Sequence, residues 1–240
     1  VRVPTSAAPL VTLHVWRVPA VQVGRALVRV AADRRALRSV HGLRFARLVG
    51  TGRGLTVRSV DLRRWALVAS WSRAEDAAAF EHSPVVRRWR ALSDEAFRAE
   101  LRPVSSTGRW GGTEPFGDPE RSPCPGSVAA LTRSHLRPRR LVRFWRAAPP
   151  VARELAEAPG MRFAMGFGEL PVLLAGTFSL WSDEASLRAF AYGPTRHRDV
   201  VARTPAEGWF GEQLFTRFAV LRTEGTLDGV ALDDPVTTTA

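Results

Sequence analysis

The chain has 240 residues, 45% of them hydrophobic and 9% aromatic, which suits one large or two small folded domains and excludes global disorder. Its formal net charge is +12, yet all 35 basic residues are arginine and they are scattered. Without a dense basic tract nucleic-acid binding is not expected, while contact with acidic membrane lipids is open to such a surface.

No apolar run reaches the roughly 18 residues a membrane span needs. The longest candidate, Leu170 to Leu180, is interrupted by Pro171, Gly176, Thr177 and Ser179. The single cysteine, Cys124, cannot form an internal disulfide and is too few for a metal site. Val1 to Leu10 lacks the charged-then-apolar layout of a signal peptide, so a cytoplasmic protein is expected.

In chain order, a β-rich run over Leu10 to Trp16 leads to an amphipathic stretch, Val21 to Leu37, and a strand over Leu43 to Val49. Gly50-Thr51-Gly52-Arg53-Gly54 lacks the Lys-Ser/Thr of a phosphate loop and reads as a mobile loop at a barrel mouth. A strand over Trp65 to Trp71, an N-cap at Ser72, a helix through Ala79-Phe80 and a strand over Phe97 to Val104 follow. Ser105 to Gly126, rich in Gly, Pro and Ser, reads as a linker.

The pattern then recurs. Val128 to Arg133 reads as strand and Leu141 to Ala156 as an amphipathic stretch that Pro149-Pro150 must break or offset. Strands follow over Met161 to Phe167 and Val172 to Trp181, then an N-cap at Ser182 and a helix through Ala189-Phe190. The last strand covers Phe215 to Val220, and the tail after Thr226 is expected to fray. Gly42, Arg44-Phe45-Ala46 and Gly50 match Gly160, Arg162-Phe163-Ala164 and Gly168 at the same spacing. Trp71-Ser72 and Phe80 match Trp181-Ser182 and Phe190.

The order β-α-β-β-α-β, written twice, is that of a ferredoxin-like unit whose sheet leaves one apolar face bare. The expectation is an α+β protein of tandem duplicated ferredoxin-like modules forming an α+β barrel around a shared apolar pocket. The first module spans 8–104, a linker 105–126, the second module 127–224, and a flexible tail 225–240.

Serine elbows, phosphate loops and zinc spacings are absent. Of five histidines, His197 stands out. A helix resuming after Gly193-Pro194 places it on one side with Val200, Val201 and Thr204, while the first copy has Arg87 there. A neutral imidazole facing an apolar cavity is what a haem iron needs as proximal ligand; a core histidine bonded to backbone fits the same pattern. The aromatic set Trp209, Phe210, Phe215 and Phe218 suits a planar macrocycle or a polyene, and equally an ordinary core.

The stretches Gly166-Phe-Gly168-Glu169-Leu-Pro171, Thr177-Phe-Ser-Leu-Trp181, Phe190-Ala191, Ala206-Glu207-Gly208-Trp209-Phe210, Glu212 and Arg217-Phe218 resemble the spheroidene monooxygenase family. Val128 to Arg133, Arg143 to Arg146 and Leu48 to Gly52 resemble it too. The resemblance implies an oxygen-using enzyme carrying haem b and oxidising a linear carotenoid or other terpenoid, akin to the dimeric α+β barrels. It also implies an electron donor as partner, and it leaves open a homodimer. By the same analogy His197 ligates the haem iron; from their positions in the chain Phe178, Trp181, Trp209 and Phe210 are the candidate walls of the pocket. Arg203 or Arg162 then holds a haem propionate. The first-copy loop around Leu55 to Arg64 is shorter than the family pattern and lacks its Pro-rich continuation, which bears on the substrate. Two other readings stand beside this one: a cofactor-free monooxygenase of the antibiotic-biosynthesis type, and a non-catalytic barrel for a hydrophobic ligand.

Overall fold

The computed structural model describes residues 9–52, 60–119, 122–137, 139, 141–169, 174–193 and 210–232. The first module comprises β1 (Leu10–Arg17), α1 (Val23–Ala36), β2 (Leu43–Gly52), β3 (Val60–Trp71), α2 (Ala74–Phe80), α3 (Pro84–Leu92) and β4 (Glu95–Gly108). The second comprises β5 (Val128–Leu136), α4 (Leu141–Ala156), β6 (Met161–Gly168), β7 (Leu174–Trp181), α5 (Glu184–Tyr192), β8 (Phe210–Leu227) and a short β9 (Val230–Ala231).

The strands run in the order β4-β1-β3-β2-β6-β7-β5-β8-β9, and an extra β4–β8 pairing closes β1 to β8 into a barrel. Each module contributes four neighbouring strands in ferredoxin-like order, as the repeat implies. Closure gives each of those strands a neighbour on both sides, though β2 and β6 meet over only part of their length. One seam is short: Gly50, Thr51 and Gly52 pair with Gly168, Phe167 and Gly166. The Gly-Thr-Gly segment read as a loop is therefore strand up to Gly52, paired on one side with β3 and on the other with β6 of the second module. The other seam, β4–β8, runs from Phe97↔Gly225 to Gly108↔Leu214.

Strand alternation sorts side chains between two environments. On β1, Val11, Leu13 and Val15 enter the barrel core, while Trp16 joins the layer under the helices. The shared interior includes Phe45, Val68 and Leu101 of the first module, and Leu131, Phe178 and Phe218 of the second. Each such side chain contributes about 1.5–3 kcal/mol on burial. The first outer layer is dense: Trp16 stacks on Trp89 at 5.3 Å and Trp71 meets Phe80 at 5.0 Å. Within it His14 bonds Glu81 at 2.7 Å. Burial pushes the Glu81 carboxyl up, but His14 and Arg98 more than offset that and hold it below its usual value.

Local structure departs from the sequence reading at the caps. Arg73 and Asp183, one residue after Ser72 and Ser182, are the N-caps of α2 and α5. Only Asp183 uses its side chain, accepting from the Ser186 N–H at 2.7 Å. Ser72 and Ser182 instead donate their backbone N–H to Gly42 and Gly160 at 2.9 and 2.8 Å. The helix α4 continues without a break through Pro149 and Pro150, which the sequence expects to break or offset it, and Leu155 is buried beneath its last turn.

The largest correction concerns the segments read as linker and tail. After Gly108 and Gly225 the chain folds over opposite ends of the barrel in matching ways. Trp110 and Leu227 bury in the core, and the turns Gly111-Gly112 and Asp228-Gly229 have positive φ throughout. Trp110↔Thr113 and Leu227↔Val230 pair after them. The repeat thus includes a capping turn in each copy. Neither is visible by periodicity, because a lone aromatic or leucine among glycines carries no period. The residue that leads into each turn must be glycine: Gly108 has φ 99° and Gly225 φ 82°, and an added Cβ would lie 2.1 Å from the Gln213 or Ala96 carbonyl oxygen. Gly108→Ala and Gly225→Ala are each expected to cost about 1–3 kcal/mol in chemical denaturation. Gly24→Ala, in α1 with nothing near its Cβ, is expected to be neutral or to stabilise by up to about 1 kcal/mol.

Candidate functional site

One barrel end joins the apolar interior to a compact set of charges. On β5 Arg133 pairs across to Gly176, as Val15 pairs across to Ala66 on β1. An inward valine of the first copy is thus an inward arginine of the second. Arg133 is 4% exposed and forms ion pairs with Glu212 of β8 and, at 3.9 Å, Glu169 at the end of β6. Glu169 also accepts from Arg47 Nε and Trp110 Nε1, both at 3.0 Å. Glu212 accepts the Gly111 and Gly112 N–H groups at 2.8 and 2.7 Å.

Two arginines and two carboxylates therefore clasp the capping turn and seat Trp110 over the core. Trp110 stacks on Phe167 at 5.5 Å, and Phe116 meets Phe218 at 5.2 Å. Gly176 makes room for the Phe167 ring, since a Cβ there would lie 2.2 Å from it. At the other end Glu95 plays the part of Glu212, accepting the Gly229 N–H at 2.7 Å, and buried Arg64 pairs with Asp228.

The second place of interest is the face of the second sheet turned toward α4 and α5. The strand pairings of the two modules share a register that starts from Trp71 and Trp181. In that register His14, Trp16, Leu48 and Leu67 of the first outer layer correspond to Thr132, Ser134, Gly166 and Thr177 of the second. The bulk that fills the first module's helix-facing side is missing from this face of the second sheet. Among the described residues its core comprises Val128, Leu155, Trp181 and Leu187, with Phe190 against Trp181 at 5.4 Å.

The expected pocket residues separate accordingly. Phe178 is buried in the barrel interior. Trp181 is on the opposite side of β7, under the helices, with Nε1 donating to Ser179 Oγ at 2.9 Å. They cannot wall one pocket, because three residues along a strand reverse the side-chain direction. Arg162 donates to Ser127 Oγ at 3.2 Å. Phe210 opens β8, and His197, Arg203 and Trp209 lie outside the described residues. Their first-module counterpart element, α3, packs Val85, Val86 and Trp89 onto the outer layer and leaves Arg87 exposed. Helices in this architecture look at the outside of the barrel and not into it. Among the described histidines, His14 is buried in the outer layer and His41, His82 and His135 are exposed.

Sequence reasoning misses Arg47, Trp110, Arg133, Glu169 and Glu212 as a group. A signal is present: a valine in one copy answered by an arginine at the same inward strand position in the other. In Glu212 desolvation raises the carboxyl pKa, but the Gly112 and Gly111 N–H groups and Arg133 overcome it, so the net value is lowered. A lowered folded value means its stabilisation is present above the ordinary glutamate range. That stabilisation is lost as pH falls through the lowered value. Glu212→Ala is expected to cost about 1–3 kcal/mol at neutral pH in a denaturation experiment, and less in acid, because Arg133 loses the nearer of its two carboxylates and the Gly111 and Gly112 N–H groups lose their acceptor.

No family model matches the chain. Spheroidene monooxygenase of Rhodobacter capsulatus is 37% identical over 203 residues, covering 82% of this chain and 83% of that protein. Spheroidene monooxygenase of Rubrivivax gelatinosus is 36% identical over 191 residues, covering 78% and 73%. Among solved structures, an aldoxime dehydratase in complex with butyraldoxime has a TM-score of 0.64 at 10% identity, covering 91% of this chain and 81% of its own. That likeness shows the α+β barrel fold alone. The sequence relatives go further: the chain is an oxidoreductase of the monooxygenase type and belongs to the spheroidene monooxygenase family.

Proposed function

We propose that this monooxygenase binds haem against the helix-facing side of its second sheet and oxidises a linear carotenoid or a similar apolar terpenoid. Family membership supports the substrate class, since the relatives are named for spheroidene. The observation that carries the site is the exchange of Trp16, Leu48 and Leu67 for Ser134, Gly166 and Thr177. Small residues on adjacent strands give a flat surface suited to a planar ring system, bordered by the indole of Trp181. His197 is the proximal ligand in this reading.

When bound, the haem supplies the oxygen activation, drawing on dioxygen and an external electron donor. The protein's part is to bind, orient and exclude water. Arg203 or Arg162 is the guanidinium that holds a propionate, and Arg162 also donates to Ser127 Oγ. The filled barrel interior beside the sheet keeps water from approaching from that side. Phe178, packed there, supports the sheet and does not touch the ring.

An absorption spectrum of protein from haem-supplemented cells tests this. A Soret band is expected, abolished or shifted in His197→Ala. Refilling the face with Gly166→Leu and Thr177→Leu is expected to weaken haem binding at least about tenfold while circular dichroism stays native. Carotenoid turnover by colourless protein would favour the cofactor-free chemistry instead.

A further inference from the structure

The first module's helical layer carries a surface that the monooxygenase reaction does not use. Val21, just before α1, and Leu27 and Val28 on it are 88%, 47% and 68% exposed. Between α1 and α3 runs a groove of about 510 Å³ lined by Gly24, Arg25, Val28, Arg88, Ala91 and Leu92. The α1 sequence VGRALVRVAADRRA and the α3 sequence PVVRRWRAL contain a single carboxylate, Asp33. That group is 1% exposed and paired with Arg88 at 3.2 Å. Neither helix offers a negative charge to solvent. Acids do occur elsewhere on the helical layers, as Glu75 on α2 and Glu184 on α5 show. An overall taste for arginine explains the type of base, and it does not explain why acids avoid this face.

We infer that the α1–α3 face docks the protein on an anionic lipid bilayer, with Val21, Leu27 and Val28 entering the headgroup boundary and Arg25 and Arg29 meeting lipid phosphates. An apolar strip flanked by arginines, on a helix lying flat on the protein, is the pattern of an interfacial helix. A second copy of the chain is a poor occupant, because a two-fold contact would press one arginine-rich face on another. Nucleic acid offers nothing to the exposed valines and leucine. The docking stands without the haem proposal; if the substrate is a lipid-soluble polyene, docking also brings the enzyme to its supply.

Flotation of the full chain with vesicles tests it. Binding is expected to phosphatidylcholine vesicles containing about a third phosphatidylglycerol, to fall steeply with salt, and to be weak on pure phosphatidylcholine. Arg25→Ala with Arg29→Ala is expected to reduce it about tenfold or more, as is Val28→Glu, while Arg25→Lys with Arg29→Lys retains it. Arg188→Ala with Arg222→Ala, the same loss of charge on exposed positions elsewhere, is expected to leave binding within about twofold. Equal losses in both alanine pairs would overturn the assignment to this face. So would absent binding to anionic vesicles, or light scattering that shows a dimer dissolved by Val28→Glu.

Discussion

The pairing of β4 with β8 is the contact on which the rest of the molecule depends. It joins the last strand of each module along most of their length, from Phe97↔Gly225 to Gly108↔Leu214. Without it the two sheets would meet, among the described residues, only at the three-residue Gly50–Gly52 seam and leave their apolar faces partly bare. The same pairing carries each strand beyond its own module. Gly108 is thereby held against Gln213 and Gly225 against Ala96, from which each turn drops over the far barrel end. Glu212 and Glu95 then grip the backbone of those turns. Closure and capping are one device, used twice.

On that symmetric frame the copies have diverged in complementary places. Inside the barrel, Val15 has become Arg133 and the pair Val49 with Ala66 has become Phe167 with Gly176. The total bulk is kept while a charge is placed at one end. Outside, the first module stacks tryptophans beneath its helices and the second carries Ser134, Gly166 and Thr177. The first module's helix-facing side is filled with bulky side chains, and the second sheet carries small ones at the matching positions. A duplicated chain can specialise in this way because each sheet needs bulk on only one face to fold with its partner.

Much of this is legible in the sequence. Repeated Arg-Phe-Ala and Trp-Ser signals at matched spacing reveal the duplication, and strand and helix order reveal the barrel. Two things are not legible. The capping turns hide in glycine-rich segments, where Trp110 and Leu227 have no periodic neighbours to betray their burial. Nor does an apolar strand tell its helix-facing side from its barrel side when both are buried. Phe178 and Trp181 look like neighbours in one pocket wall, although an odd spacing on a strand sends them to opposite faces. In the first module, α3 packs Val85, Val86 and Trp89 onto the outer layer and not into the barrel.

Anomalous diffraction at the iron edge, from crystals of the haem-loaded protein, reaches the central claim most directly. One iron peak is expected on the outer side of the second sheet, opposite Gly166 and Thr177 and across the sheet from Phe178. A peak inside the barrel beside Leu131 and Phe218, or against the tryptophan layer of the first module, would contradict it.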